Sequence, residues 1–452
     1  MSTLRQAIAV AVAVTITSAA PCAQAIAPKP VDHGQLPGPT APAPPGRTEQ
    51  SDRCASAKPA DARPAHQLDM LDLAAVWPLS RGSGQLVAVI DTGVARHRLL
   101  PHLVAGGDYV SSGDGTQDCD GHGTAIAGLI GAAAPNDGTF SGVAPDATIM
   151  AIRQSSNKFR LTDDHEISGV GDVETLARAV RSAADAGASV INISSVACMP
   201  AADALDDRSL GAALAYAVDV RNVVVVAAAG NASGECAGQN PSSDPKRPGT
   251  PDWDTVHTVV SPAWYDDYVL TVGSVGPTGA PSPFSLAGPW VDVAAPGESV
   301  VSLSAQGDGL VDSRPDGRPL SGTSYAAPLV SGVVALVRSR LPQLSARQVM
   351  ARIEDTARHP ADGWNPQIGR GVVDPLAAVS GGVPTPAPAR VSTAQTAPAS
   401  GSDHRPSRRI AFLGTAICIA VAAVAATGRR RSPRQATEGR LRAQVGIRPP
   451  PP

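Results

Sequence analysis

Three short segments of this chain each set one reactive side chain among small residues: Asp91-Thr92-Gly93, Gly121-His122-Gly123-Thr124 and Gly322-Thr323-Ser324-Tyr325-Ala326-Ala327-Pro328. A serine hydroxyl is a poor nucleophile at neutral pH unless a neighbouring base takes its proton, and an imidazole base needs a carboxylate to orient it. Asp91, His122 and Ser324 supply those three groups in the order acid, base, nucleophile. The chemistry they could perform is acyl transfer. Ser324 would attack a peptide carbonyl, His122 would take its proton and later give it to the leaving amine, and Asp91 would fix the imidazole tautomer and stabilise the imidazolium. A fourth segment, Ala227-Ala228-Ala229-Gly230-Asn231, lies between the histidine and the serine. Its Asn231 side-chain amide, together with the Ser324 backbone N–H, could hold the oxyanion.

Each residue alone has an ordinary structural explanation. An Asp at a strand end caps a turn, a lone His is more often structural than catalytic, and a Ser at a helix start is commonly an N-cap. Their joint appearance in this order, each flanked by glycine, is what points to a site. No cofactor or metal is needed for this chemistry. The acidic turn of Asp163, Asp164 and Glu166 reads as exposed rather than as a calcium site.

The elements that must position these groups follow from the apolar pattern. Leu86-Val87-Ala88-Val89-Ile90 is an unbroken apolar run, the mark of a strand buried on both faces of a parallel sheet, and it places Asp91 at the strand's carboxyl end. Similar runs occur at Ile149–Ile152, Val190–Ile193, Val223–Ala229 and Val269–Val272. Helical patterns separate or follow them at Gly123–Ala133, Asp172–Ala186, Leu205–Arg221, Ser324–Leu341 and Ser345–Ala357, with a short helix at Leu68–Trp77 and a final turn and strand at Gly369–Asp374. This alternation predicts an α/β, doubly wound domain over residues 65–380, with a mainly parallel central sheet flanked by helices.

The remaining chain has other uses. Residues 1–25 read as a secretory signal peptide: Arg5, an apolar run over Ala7–Ala20, then Ala23-Gln24-Ala25 as a small-residue cleavage site. Residues 26–64 form a Pro-rich extension, and residues 381–409 a linker rich in Pro, Ala, Ser and Thr. Residues 410–428 carry no charge; nineteen residues at about 1.5 Å each span roughly 28 Å, close to a bilayer's hydrocarbon thickness. Residues 429–452 hold more Arg than the opposite flank, which predicts a cytoplasmic tail and places the α/β domain outside the cytoplasmic membrane. A net charge of −3 and a pI near 6.3 give no reason to expect a nucleic-acid partner.

The segments IDTGV, DGHGTAIAG, AAAGN and SGTSYAAPLVSG resemble those of the subtilisin-like serine proteases, whose triad runs in this same chain order. That resemblance covers roughly residues 65–380 and implies the subtilisin-like fold, a protein or peptide substrate, and a substrate strand docking at Ile193, Ser194 and Ser195 with Ala228, Ala229 and Gly230 on the facing wall. The segments Ile152–Ser156 and Ser261–Gly273 and the order of terminal regions resemble the mycosins, membrane-anchored subtilases associated with actinobacterial type VII secretion. That likeness implies a type VII secretion membrane complex as partner and a membrane contact through one helix. A structural subunit of that complex, with proteolysis dispensable, is the alternative reading.

Six cysteines occur; Cys22 falls in the signal peptide and Cys418 in the membrane helix, leaving Cys54, Cys119, Cys198 and Cys236, which allow three pairings. The mycosin resemblance implies Cys54–Cys119 and Cys198–Cys236. The first would hold the extension beside His122, and the extension, which shows no strand–helix–strand pattern, is expected to wrap the domain as a permanent belt.

Overall fold

Parallel strands can be joined only by long crossovers, and helices then cover both sheet faces, so each strand reads as a continuous apolar run. Seven strands build the sheet, and the inner ones follow this rule: β1 (Leu86–Asp91), β2 (Leu103–Asp108), β3 (Thr148–Arg153), β4 (Val190–Ile193), β5 (Val224–Ala228), β6 (Leu270–Val275) and β7 (Val293–Pro296). They form one sheet, parallel throughout, in the order β7-β6-β5-β4-β1-β3-β2. Every residue of β4, β5 and β6 is buried. The computed structural model describes residues 26–381 apart from 27–29, 57–64, 135–139, 164–168, 204–205, 243 and 245. The expected signal peptide, the membrane helix at 410–428, the tail, nearly all of the linker, and Asp164 and Glu166 lie outside the described residues. No helix among the described residues is long and apolar enough to cross a membrane.

The strand order locates the crevice. From β1 the chain first builds β2 and β3 on one side of the sheet and then β4 to β7 on the other. Crossovers leaving to opposite sides open a gap beyond the carboxyl ends of the strands at such a switch point. Asp91, the last residue of β1, stands at that gap.

Five main helices cover the sheet: α1 (His122–Gly131), α2 (Val173–Asp185), α3 (Arg208–Ala215), α4 (Thr323–Arg340) and α5 (Ala346–Thr356). α4 is buried without a break from Thr323 to Val337, packing on β4, β5, β6 and β7 and on α1. A helix apolar on all sides belongs in the interior. All of α1 is buried except His122, its first residue. α2 and α5 lie at the surface and start with reciprocal caps, Asp172 with Thr175 and Ser345 with Gln348.

Several sequence expectations need correction. β2 and β7 have no long apolar run to announce them: β2 (LVAGGD) is a half-exposed edge strand whose register shifts between Ala105 and Gly107, and β7 (VAAP) is short and ends in proline. The helix expected over Leu205–Arg221 begins at Arg208 and ends in a π turn, Tyr216–Val220. The Leu68–Trp77 helix is a 3₁₀ turn (His66–Leu71) and a short α turn (Leu73–Val76), broken where Asp72 takes φ 46°. Gly369–Asp374 is not a strand. Gly369 and Gly371 take φ 57° and 118°, which breaks an extended run and leaves Val372 alone to bridge Ala294 and Arg358.

The described part of the extension lies along the domain surface. Arg181 donates to the Pro37 carbonyl at 3.1 Å, and Thr48–Gln50 pairs antiparallel with Phe159–Leu161. Lys158 meets Asp52 at 2.8 Å, Ala55 N–H donates to the Cys119 carbonyl at 2.7 Å, and Cys54 is bonded to Cys119. The second disulfide joins Cys198 to Cys236. It ties the strand Ala197–Pro200, which pairs with Thr258–Ser261, to the loop after Asn231.

Candidate active site

Three elements deliver the reactive groups to the switch-point crevice. β1 ends on Asp91, α1 starts on His122 and α4 carries Ser324 in its first turn. Two glycines make the approach possible. A Cβ on Gly123 would collide with the Gly93 carbonyl oxygen, so only glycine lets α1 lie this close to the loop after β1. A Cβ on Gly322 would sit 3.1 Å from Ser324 Oγ and 3.4 Å from Asn231 Nδ2.

His122 Nδ1 lies 2.7 Å from Asp91 Oδ1, and His122 Nε2 lies 3.1 Å from Ser324 Oγ. Asp91 Oδ1 also accepts from Thr92 N–H at 2.8 Å. The acid is wholly buried and the imidazole 11% exposed, so the proton line runs from the interior to the crevice. Burial works to lower the imidazole's pKa, but the Asp91 carboxylate, by charge and hydrogen bond, and the charges of Asp118 and Asp120 outweigh it and hold His122 above the ordinary histidine value. A base held in this way can take a hydroxyl proton and stabilise the resulting cation.

Asn231 is oriented by its carbonyl. Asn231 Oδ1 accepts from Thr323 N–H at 2.9 Å and from Thr323 Oγ1 at 3.2 Å, and Gly230 N–H donates to Thr323 Oγ1 at 3.1 Å. With both acceptor directions used, Nδ2 is the end left to donate, and the position a Cβ on Gly322 would take lies within 3.4 Å of it and 3.1 Å of Ser324 Oγ. It can therefore donate to an anionic oxygen formed at Ser324.

The helix carrying Ser324 has a gap that another side chain fills. Pro328 lies four residues after Ser324 inside α4 and has no N–H to give to the Ser324 carbonyl. Ser194 Oγ donates to that carbonyl at 3.0 Å; Ser194 is held in turn by Asn192 Nδ2 at 2.9 Å, and Asn192 Oδ1 accepts from Ser331 Oγ at 2.8 Å. Of the residues singled out for substrate docking, Ser194 thus has its hydroxyl engaged with the Ser324 carbonyl. Ile193, Ser195, Ala228, Ala229 and Gly230 are buried beside it. A solvent-open cleft is lined by His122 and Tyr325 together with Ala55 of the extension, Lys158, Arg314 and Leu320.

Sequence reasoning missed Asp118, Thr92, Thr124 and Thr323. Asp118 stands four residues before His122, a spacing that suits a carboxylate capping a helix start, and the threonines lie inside the motifs themselves.

Residues 82–377 match the subtilase family. The chain is 56% identical to Mycosin-4 of Mycobacterium tuberculosis over 448 residues, covering 95% of this chain and 96% of that protein. The chain belongs to the subtilases and, within them, to the mycosins. It is a subtilisin-like serine protease. Among solved structures this mycosin superposes on the MycP3 protease from the type VII (ESX-3) secretion system with a TM-score of 0.73 at 45% identity, covering 78% of this chain and 100% of that one. It also matches a chain of an intact ESX-5 inner membrane complex with a TM-score of 0.75 at 42% identity, covering 89% of this chain and 98% of that one.

Proposed function

We propose that this mycosin is a membrane-anchored, extracytoplasmic serine endopeptidase that cleaves protein substrates beside a type VII secretion complex. The observation that carries the enzymatic part is the hydrogen-bonded line Asp91–His122–Ser324 next to the oriented Asn231 amide. In this reading Ser324 is the nucleophile, His122 the general base and then acid, and Asp91 the group that fixes the Nδ1–H tautomer. Asn231 and the Ser324 N–H form the oxyanion hole. Ile193–Ser195 and Ala228–Gly230 flank the incoming substrate strand through their backbones. Residues 1–25 direct export, 26–64 remain as a belt, 381–409 span from domain to bilayer, 410–428 cross it and 429–452 face the cytoplasm. The net charge of −3 gives nucleic acid no part in this scheme.

The partner follows from the likeness to a chain of the ESX-5 inner membrane complex. That same likeness favours a second reading, in which the domain stabilises the membrane complex and proteolysis is dispensable. Complementation of a deletion separates the two. If secretion needs the protease, Ser324→Ala fails to restore it; if the domain serves as a structural subunit, Ser324→Ala restores it while the deletion stays defective.

A further inference from the structure

Asp118 is partly buried between the loop after β1 and the start of α1, and every one of its hydrogen bonds goes to one of those two segments. Asp118 Oδ1 accepts from Thr92 Oγ1 at 2.8 Å and from Gly121 N–H at 2.7 Å. Asp118 Oδ2 accepts from Thr124 N–H at 2.8 Å and from Thr124 Oγ1 at 2.6 Å. A hydroxyl has one hydrogen, so each threonine that gives it to Asp118 can serve its other neighbours only as an acceptor. Both do: Thr92 Oγ1 accepts from Gly123 N–H at 2.9 Å, and Thr124 Oγ1 accepts from Ala95 N–H at 2.9 Å. Thr92 follows Asp91 and Gly123 follows His122. The hydrogen bond between Thr92 and Gly123 therefore joins the backbone on the far side of both groups, with its direction set by Asp118. Thr92 N–H in turn holds Asp91 Oδ1, the atom that meets His122.

We propose that Asp118 is a positioning residue of the reaction: a single carboxylate that locks the Asp91 loop to the first turn of the His122 helix and so fixes the 2.7 Å contact between them. The inference rests on the roles of Asp91, His122 and Ser324 proposed above. Asp118 acts through Thr92, Gly121 and Thr124, to which it is hydrogen-bonded. Its geometric role is joined by an electrostatic one, since its negative charge, after that of Asp91, favours protonated His122. The charged and titratable groups around this cluster are Asp91, Asp120 and Tyr325, with Lys158 and Arg153 acting on Asp120 and Arg314 on Tyr325. Burial pushes the Asp118 carboxyl up to about 6 against its four donors, so it carries its charge above that pH.

The test uses the exported chain, a fluorogenic peptide substrate, and rates normalised to active sites titrated with a serine-directed reagent. In Asp118→Asn an amide NH₂ must face at least one backbone N–H that the carboxylate now accepts. We expect kcat to fall on the order of 10²-fold, the scale of a displaced catalytic group, with KM unchanged. The acid limb of kcat/KM should move to lower pH, because a charge favouring imidazolium has gone; a merely structural role would not move it. Thr92→Val removes the link but keeps the charge, so kcat should fall with the limb in place. The double variant should lose less than the product of the single losses. An Asp118→Asn rate per titrated site equal to wild type, an unmoved limb, or multiplicative losses would each overturn the role. If Asp118→Asn does not fold, an unchanged kcat in Thr92→Val does so. A wild-type chain that hydrolyses nothing removes the triad assignment as well, whereas an active wild type with an unaffected Asp118→Asn removes only this inference.

Discussion

At the scale of single residues, the site works by turning side chains whose other ends are already committed. In the proposed site Asn231 keeps its amide NH₂ for the oxyanion, because Thr323 occupies its carbonyl oxygen. A positioned donor of this kind contributes about 3–4 kcal/mol to the transition state, a general magnitude that itself comes from a subtilisin. Asn231→Ala should therefore lower kcat by about 10²–10³-fold and leave KM nearly unchanged, as steady-state kinetics will show. The sign of the pH dependence follows from His122. The base acts when deprotonated, and its pKa is raised from 6.5 by Asp91 despite burial, so activity should rise through an acid limb above pH 6.5. A limb below that value would mean that Asp91 does not act on the imidazole as described. The segments proposed to form the site stood out in the sequence because each lies along one stretch of chain. Asp118 and the hydroxyl of Ser194 did not, because their partners are set by a loop–helix contact and by a missing helix hydrogen bond that only folding brings about.

At the scale of elements, the long buried strands and α4 were readable because an element buried on every side must be apolar throughout. β2 escaped because it is an edge strand with glycines and exposed positions, and β7 because its buried run is only four residues long and ends in proline. The fit between α4 and its neighbours carries a prediction. Pro328 leaves the Ser324 carbonyl to Ser194, so Ser194→Ala should lower kcat, whereas Ser331→Ala, one step further along the same chain of hydrogen bonds, should lower it less. The disulfides carry another. The residues bridged by Cys54–Cys119 are 65 apart, and those bridged by Cys198–Cys236 are 38 apart. In the chain-entropy account each contributes about 4 kcal/mol. Cys54→Ala with Cys119→Ala should lower the thermal midpoint of the exported domain clearly, and free the extension to proteolysis, both readable by calorimetry and limited digestion.

At the scale of the whole molecule, the extension, domain and C-terminal segments form one proposal about place. A belt paired with Phe159–Leu161 and bonded to Cys119 should survive maturation, so N-terminal sequencing of the mature chain should begin before Cys54. A start beyond Cys54 would make the belt a discarded segment. A chain ending at Gly381 should leave the membrane fraction and keep its peptidase activity, because every group of the proposed site lies within residues 82–377 that match the subtilases. The composition of the two ends made these expectations readable, while the partner rested on likeness rather than on any residue that composition could single out. The most direct measurement of the central claim is active-site labelling of the folded, exported chain with a fluorophosphonate, with the modified residue mapped by mass spectrometry. One adduct is expected, on Ser324 Oγ, nearly abolished in His122→Ala. A folded wild-type chain that takes no label, or takes it elsewhere, would contradict it.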